Sequence, residues 1–161
     1  MKLTRRGVPV TTVGDLPASP APDATFVDAE LTDFRLGDIP GRRILSVFPS
    51  IDTGVCAASV RRFNQLASEL PDTTVLCISN DLPFALGRFC GAEGIDRVRV
   101  GSAFRSSFGR DYGLLMDSGP LTGLLARAVL IIEAGGEISY SQVVPEIGTE
   151  PNYDEVIAHL H

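Results

Sequence analysis

Residues 43–56 read RILSVFPSIDTGVC, and this stretch predicts a buried β-strand that leads directly into a helix. The strand is the apolar run RILSVF, because β-branched and aromatic side chains favour a sheet. Apolar residues then recur at helical spacing from Val55 to Glu69, which predicts a helix with one face on the sheet. A second apolar run, TTVLCIS at residues 73–79, follows after a short connection. The three elements therefore predict a right-handed β-α-β unit with parallel strands.

The rest of the chain also alternates strands and helices, and it predicts a mixed sheet that is covered on both faces. Two of the strands flank Gly135-Gly136, which is a strong hairpin signal. The further predicted elements are a small hairpin at Thr4–Val13, helices at Leu82–Cys90 and Ser106–Tyr112, strands at Ala128–Ile132 and Glu137–Val143, and a final helix at Tyr153–Leu160. We therefore expect a single α/β domain over residues 1–161 with a thioredoxin-like fold: a central mixed sheet flanked by helices, and an N-terminal β-hairpin within residues 1–15.

The composition argues against several classes of function. A formal net charge of −6 and a pI of about 4.8 do not suit a protein that binds nucleic-acid phosphates or an anionic membrane surface. The N-terminal residues lack the apolar core of a secretory signal, and no apolar run is long enough to span a bilayer. Three cysteines are too few for a disulfide framework. We therefore expect a cytoplasmic protein in which a cysteine acts as a reagent.

Cys56 lies where the predicted strand gives way to the helix, and this position favours nucleophilic chemistry. A thiol reacts as its thiolate, and the first turn of a helix supplies unpaired N–H groups and the positive end of the helix dipole. Thr53 is placed either to cap this helix or to hydrogen-bond to the sulfur or to a substrate oxygen. Pro49 has no N–H group to donate and would form a wall of the pocket.

These residues resemble a known family. Pro49, Thr53 and Cys56 match the P-x-x-x-T-x-x-C signature of the peroxiredoxins. The longer segment PSIDTGVCAASVRRFN (49–64) is similar to the thiol peroxidase branch of that family. The similarity continues in the same order through DLPFALGRFC (81–90), FGRDYG (108–113), GPLTGLLARAV (119–129) and EPNYD (150–154). It therefore covers nearly the whole chain.

The resemblance implies a thiol-dependent peroxidase of the atypical two-cysteine type. Cys56 would attack a hydroperoxide and become a sulfenic acid, and Cys90 of the same subunit would condense with it to a disulfide that thioredoxin reduces. Arg127 matches the active-site arginine of the family, whose guanidinium would favour the thiolate and orient the peroxide. The resemblance further implies a homodimer, a preference for alkyl hydroperoxides over hydrogen peroxide, and no metal or organic cofactor.

A disulfide between Cys56 and Cys90 makes a physical demand on the fold. Bridging requires Cα atoms within about 7 Å, whereas two cysteines on separate helices can start farther apart. We therefore expect one or both helix ends to unwind during each catalytic cycle.

The three cysteines and the arginine also have simpler interpretations. Cys90 ends an amphipathic helix and would ordinarily be a core residue, in which case the enzyme would work with one cysteine. A redox sensor that passes the oxidation of Cys56 to a partner protein is an alternative from another class. Cys77 lies in the middle of a strand and is predicted to be part of the core. Arg127 lies among apolar residues, where an ion pair with a carboxylate is the structural alternative.

Five polar residues near these motifs are predicted to be structural. Arg61 and Arg62 are expected on a solvated face, and Asp52 in a turn-capping role before the helix. His159 and His161 lie at the C-terminus, and the cysteines are far apart, so the spacing predicts no metal site.

Overall fold

The computed structural model describes residues 2–160. The strands are β1 (Leu3–Arg5), β2 (Val8–Val10), β3 (Thr12–Val13), β4 (Thr25–Val27), β5 (Asp33–Arg35), β6 (Arg42–Val47), β7 (Thr73–Ser79), β8 (Arg99–Ser102), β9 (Leu115–Met116), β10 (Ala128–Ile132) and β11 (Ile138–Val143). The helices are α1 (Gly54–Ala67), α2 (Pro83–Glu93), α3 (Phe108–Asp111) and α4 (Tyr153–Ala158), and a 3₁₀ turn spans Leu36–Asp38.

The predicted β-α-β unit is confirmed. β6 and β7 pair in parallel, with Ile44 opposite Val75 and Val47 opposite Ile78, and α1 connects them. The strand and helix bounds lie within two residues of the predicted ones, because the apolar pattern that marks them is also the pattern that is buried.

The central sheet has seven strands in the order β11-β10-β6-β7-β8-β4-β5. β6, β7 and β8 are parallel to one another, whereas the other strands are antiparallel to their neighbours. The sheet is therefore mixed, as predicted. Because β10 runs antiparallel to β6, with Ala128 opposite Val47, the start of β10 lies beside the end of β6.

Side chains of the sheet alternate between two apolar clusters, one on each face. On β7, Val75 and Cys77 belong to the cluster that includes residues of α1, α2 and α4. Leu76 and Ile78 belong to the opposite cluster, which includes Phe108 of α3. This alternation is the two-residue period of a strand. Helices therefore flank both faces, as the predicted fold class requires.

The N-terminal hairpin is confirmed but is shorter than predicted. β1 and β2 pair in antiparallel fashion over residues 3–10. At the turn, Arg6 and Gly7 have φ values of 50° and 78°, as in a type I′ hairpin turn. Thr12–Val13 does not extend this hairpin, because it pairs with β9 instead.

The helices after β7 differ from their predicted bounds at their ends. α2 continues past Cys90 to Glu93 and is stopped by Gly94, whose φ of 66° forms a left-handed C-cap. α3 and α4 are shorter than predicted. Asn152 caps α4 by accepting a hydrogen bond from the Glu155 N–H at 3.1 Å, as its capping-box pattern predicts.

Candidate active site

Cys56 is the third residue of α1 and is fully buried. The preceding loop leaves the end of β6, and the Phe48 N–H still donates to the Ile78 carbonyl at 3.0 Å, so the sheet fixes where the loop begins. The first helical turn, GVC at residues 54–56, carries no negative charge that would offset the positive end of the helix dipole. The sulfur therefore lies at the positive end of the α1 dipole, the end of a helix that attracts negative charge.

Arg127 is brought to Cys56 by the register of β10. It comes one residue before the strand, and the alternation of side chains places it on the same face as Val129, which belongs to the Cys56 cluster. Its Nη2 donates to Cys56 Sγ at 3.2 Å, and its Nε donates to the Ile147 carbonyl at 3.1 Å. Arg127 has no carboxylate partner among residues 2–160, so the ion-pair interpretation is wrong.

Arg127 is only 2% exposed. Its Nη1 is buried and has no hydrogen-bond partner among the residues that the structure describes. A buried charged donor without a partner is costly, and such groups in native structures call for an explanation. A donor directed at a ligand is one such explanation.

Thr53 caps α1. Its Oγ1 accepts a hydrogen bond from the Cys56 N–H at 3.4 Å and donates to the Ser50 carbonyl at 3.1 Å. The capping alternative of the sequence analysis is thus confirmed. Because the single hydroxyl proton is used by Ser50, Thr53 can only act as an acceptor toward a ligand.

A cavity of about 240 Å³ lies beside these residues and is lined by Pro49, Thr53 and Arg127, among others. Cys56 lies behind this lining, in contact with Arg127. A larger and shallower concavity of about 350 Å³ lies elsewhere, where Arg105 pairs with Asp33. The larger concavity is thus not near Cys56. The smaller cavity is the candidate substrate site, because it adjoins the buried thiol.

Asp81 was not singled out by the sequence analysis, yet it organises the loop before Cys56. Its carboxylate accepts hydrogen bonds from Ser50 Oγ at 2.8 Å, the Ile51 N–H at 2.8 Å and Ser79 Oγ at 2.6 Å. Asp81 thereby connects the end of β7 to the loop that enters α1. Its only sequence signal is its position as the first residue of the motif DLPFALGRFC.

Cys90 lies near the end of α2 and is half-buried, and all three cysteines are free thiols. Burial raises the pKa of the Cys90 thiol. Cys56 and Cys90 are therefore held on separate helices that share one face of the sheet, and they are not bonded to each other.

Two exposed ion pairs bracket Cys90 and tie α2 to the Cys56 segment. Arg88 donates to Asp52 at 2.9 Å, and Arg61 donates to Glu93 at 2.9 Å. The turn-capping role predicted for Asp52 is wrong, because its carboxylate pairs across to α2. Arg61 is exposed, as predicted, and it also forms an ion pair with Glu93.

The family model described as Redoxin matches residues 16–157. The chain belongs to the redoxin family. A thiol peroxidase of Corynebacterium glutamicum is 52% identical to it over 159 residues, which are 97% of this chain and 96% of that protein. A thiol peroxidase of Mycobacterium tuberculosis is 49% identical over 162 residues, covering 99% of this chain and 98% of that protein. The predicted membership of the thiol peroxidase branch is confirmed.

Two solved structures share the fold of this redoxin chain. A peroxiredoxin-like protein from Aquifex aeolicus superposes with a TM-score of 0.94 at 39% identity, over 99% of this chain and 95% of that chain. A thiol peroxidase from Chromobacterium violaceum superposes with a TM-score of 0.90 at 20% identity, over 99% of this chain and 95% of that chain, which supports the fold alone. The predicted thioredoxin-like fold is confirmed.

The other residues weighed in the sequence analysis, His161 apart, are buried or packed against neighbouring side chains in this redoxin. Cys77 is fully buried within β7, and burial raises the pKa of its thiol far above the ordinary value. Arg62 lies over the Tyr153 ring at 5.6 Å rather than on a freely solvated face. His159 packs against Tyr140 with ring centroids 4.2 Å apart, and His161 lies outside the described residues.

Within residues 2–160, no group of three or more His, Cys, Asp or Glu side chains is arranged to hold a metal ion. None of the helices in that part of the chain is long and apolar enough to cross a membrane.

Proposed function

We propose that this chain is a thiol-dependent peroxidase that reduces hydroperoxides, with Cys56 as the nucleophile and Cys90 as its disulfide partner. The thiol peroxidase relatives support the activity. The observation that carries the residue assignment is the 3.2 Å contact from Arg127 Nη2 to Cys56 Sγ, in the first turn of a helix and beside a cavity. The sulfur that would react is thus held against a guanidinium donor, which is the partner that a charge-assisted hydrogen bond requires.

In the first step, the Cys56 thiolate attacks one oxygen of the hydroperoxide ROOH and the O–O bond breaks. The attacked oxygen stays on Cys56 with its hydrogen as a sulfenic acid, and the second oxygen leaves as an alkoxide that takes up a proton from solvent, giving the alcohol ROH, or water from hydrogen peroxide. Arg127 stabilises the thiolate through Nη2 and offers its free Nη1 to the peroxide. Thr53 Oγ1 is an acceptor for the peroxide O–H, since its own proton goes to Ser50.

The size of the cavity supports organic hydroperoxides as substrates. Its volume is about 240 Å³, whereas a molecule the size of water or hydrogen peroxide occupies roughly 30 Å³. Hydrogen peroxide alone would leave most of that space to solvent. A hydroperoxide with a hydrocarbon body would fill it.

In the second step, the Cys90 thiolate attacks the Cys56 sulfenic sulfur, the S–O bond breaks and water leaves. Because Cys56 is fully buried on α1 and Cys90 lies on α2, this step requires local unwinding. The end of α2 suits that role: Gly91 follows Cys90 directly and Gly94 forms the cap, so these two positions add no side-chain contacts to the turn.

Reduction by thioredoxin, assembly as a homodimer and a cytoplasmic location remain predictions that rest on the family resemblance. Thioredoxin would supply the two electrons and two protons that return the Cys56–Cys90 disulfide to two thiols. The chain needs no cofactor of its own in this cycle, because the peroxide oxidises its thiols in one half-reaction and thioredoxin thiols reduce its disulfide in the other.

The test is peptide mapping by mass spectrometry after the reduced chain meets one equivalent of cumene hydroperoxide. We expect an intramolecular Cys56–Cys90 linkage with Cys77 still free. Thioredoxin, its reductase and NADPH should then sustain many turnovers, and Cys90→Ser should abolish recycling by thioredoxin.

Other outcomes of this experiment separate the alternatives. Oxidation that stops at a Cys56 sulfenic or sulfinic acid, with Cys90 unmodified, would support a one-cysteine enzyme. One stoichiometric oxidation without sustained flux would support a redox sensor. An unmodified Cys56 would overturn the proposal.

A further inference from the structure

The cavity beside the active site has an apolar body. Among its lining residues, Val55, Leu121, Leu124 and Ile147 supply hydrocarbon surface, and Pro49 adds a rigid wall. Ligand pockets of this kind bind an apolar body and fix its orientation through a few placed polar groups. The polar groups in this lining are therefore the determinants of which hydroperoxide is preferred.

Two of these polar groups are arginines of the N-terminal hairpin. Arg5 ends β1 and Arg6 lies in its turn, and both line the cavity. Neither forms an ion pair with any carboxylate among residues 2–160. Together with Arg127 they give this lining three cations against a single carboxylate, Glu146, in a chain whose net charge is −6.

The hairpin is anchored so that both arginine side chains stay available. Thr4 forms backbone hydrogen bonds with Pro145 and Ile147, at 2.7 Å and 2.9 Å. The Glu146 carboxylate, the one acidic group in the lining, accepts from Thr4 Oγ1 at 2.7 Å and from the Arg6 backbone N–H at 2.8 Å. It is therefore occupied by the hairpin rather than paired with a guanidinium.

The cations of the cavity differ in depth. Arg127 is 2% exposed and contacts Cys56, whereas Arg5 is half-buried and Arg6 is exposed. Arg127 therefore meets the reacting oxygens in the buried part of the lining, and Arg5 and Arg6 offer positive charge where the lining reaches solvent. A ligand that matches this arrangement carries its hydroperoxide at one end and a negative charge at the other, with an apolar body between.

We infer that Arg5 and Arg6 select hydroperoxides that bear a carboxylate or similar anionic group on an apolar body. This inference rests on the proposed function and adds a determinant of specificity to it. The arginines act on binding and encounter, because they steer the anionic end toward the hairpin while the peroxide reaches Arg127. They take no part in breaking the O–O bond.

The test compares two substrates that differ only in charge: 4-(2-hydroperoxypropan-2-yl)benzoate and its methyl ester. Second-order rate constants for Cys56 oxidation are measured by rapid quench for the wild type, for Arg5→Gln/Arg6→Gln, and for Arg110→Gln. Arg110 is an exposed arginine on α3, away from the cavity lining. Its variant removes one positive charge, as each of the single variants Arg5→Gln and Arg6→Gln does, and is compared with those.

We expect the wild type to prefer the carboxylate, and the carboxylate-to-ester ratio to fall about 2- to 30-fold in the double variant, as the weak energies of exposed charge pairs allow. Arg110→Gln should keep the wild-type ratio. Arg5→Lys/Arg6→Lys should keep much of the preference, and rising salt should reduce it in the wild type.

Equal wild-type rates for acid and ester, or an unchanged ratio in the double variant, would overturn the inference. If the double variant fails to fold, the two single variants and the salt dependence of the wild-type ratio decide the question. Failure of the proposed function would look different, since Cys56 would then react with neither substrate.

Discussion

The change Arg127→Gln separates what this residue does for reactivity from what it does for folding. Arg127 Nη2 donates to Cys56 Sγ at 3.2 Å, and its loss removes a charge-assisted hydrogen bond to the thiolate. Such a bond is worth about 1.5–3 kcal/mol, and each 1.4 kcal/mol corresponds to about a factor of ten in rate. We therefore expect oxidation of Cys56 by cumene hydroperoxide to slow roughly 10- to 150-fold.

The same change should leave the fold at least as stable. Arg127 is 2% exposed and its Nη1 is unpaired among residues 2–160, so the wild type holds a buried charge that is incompletely compensated. The thermal midpoint should therefore stay level or rise while the reaction slows, as expected where a group is retained for function.

The assay is a single-turnover rapid quench with alkylation and mass spectrometry of Cys56, because a chain without tryptophan gives little intrinsic fluorescence. Arg127→Lys is the matched control: it keeps the charge but loses the planar fork of donors, and it should fall between wild type and Arg127→Gln. A rate for Arg127→Gln within about threefold of the wild type, where the hydrogen bond alone predicts at least about tenfold, would refute the reasoning.

Three further predictions concern residues around this site. Asp81→Asn replaces the carboxylate that accepts from the Ile51 N–H with an amide. We expect a loss of about 1–3 kcal/mol in the free energy of unfolding, measured in urea, and slower oxidation of Cys56. Wild-type values of both would contradict the role of Asp81. Because burial raises the pKa of the Cys90 thiol, its thiolate is the minor form near neutral pH. Disulfide closure should accelerate as the pH rises toward that raised pKa, and a flat profile in quenched time courses would count against it. Hydrogen bonds from Thr4 and from backbone N–H groups lower the pKa of Glu146, so its stabilising effect is present above the ordinary pKa and is lost as the pH falls through the lowered one. The difference in thermal midpoint between wild type and Glu146→Gln should accordingly vanish in acid, and a difference that persists there would be inconsistent with this assignment.

Those parts of the fold that are encoded locally could be predicted from the sequence. The β6-α1-β7 unit follows from apolar periodicity, and the β10–β11 hairpin follows from Gly135-Gly136. The capping of α1 by Thr53 was one of the alternatives, and the structure selects it. In each case the deciding interactions join residues that are close in the chain, so the pattern and the contact are visible together.

The missed elements depend on distant partners. β4, β5 and β8 have three or four residues each and mixed polarity, so their pairing is decided by the sheet they join rather than by their own pattern. Thr12–Val13 pairs with β9, about a hundred residues away in the chain. The Asp81 hydrogen bonds to Ser50 and Ile51 and the ion pair of Asp52 with Arg88 likewise cross from one element to another. Local patterns do not encode such contacts.

Two groups of polar contacts join α2 to the segment that carries Cys56, a strong group at the start of α2 and a weak group near Cys90. This distribution suits a cycle in which Cys90 moves and Cys56 stays in place. The Asp81 carboxylate, just before the start of α2, holds the loop through two hydrogen bonds, from Ser50 Oγ and the Ile51 N–H, and is itself fixed by a third from Ser79 of β7. At the end of α2 that carries Cys90, the polar ties are the exposed pairs Arg88–Asp52 and Arg61–Glu93. Exposed pairs of this kind contribute about 0–1 kcal/mol each, against roughly 5–15 kcal/mol for a whole domain. The last turn of α2 can therefore open while its first turn, and the loop that positions Cys56, remain in place.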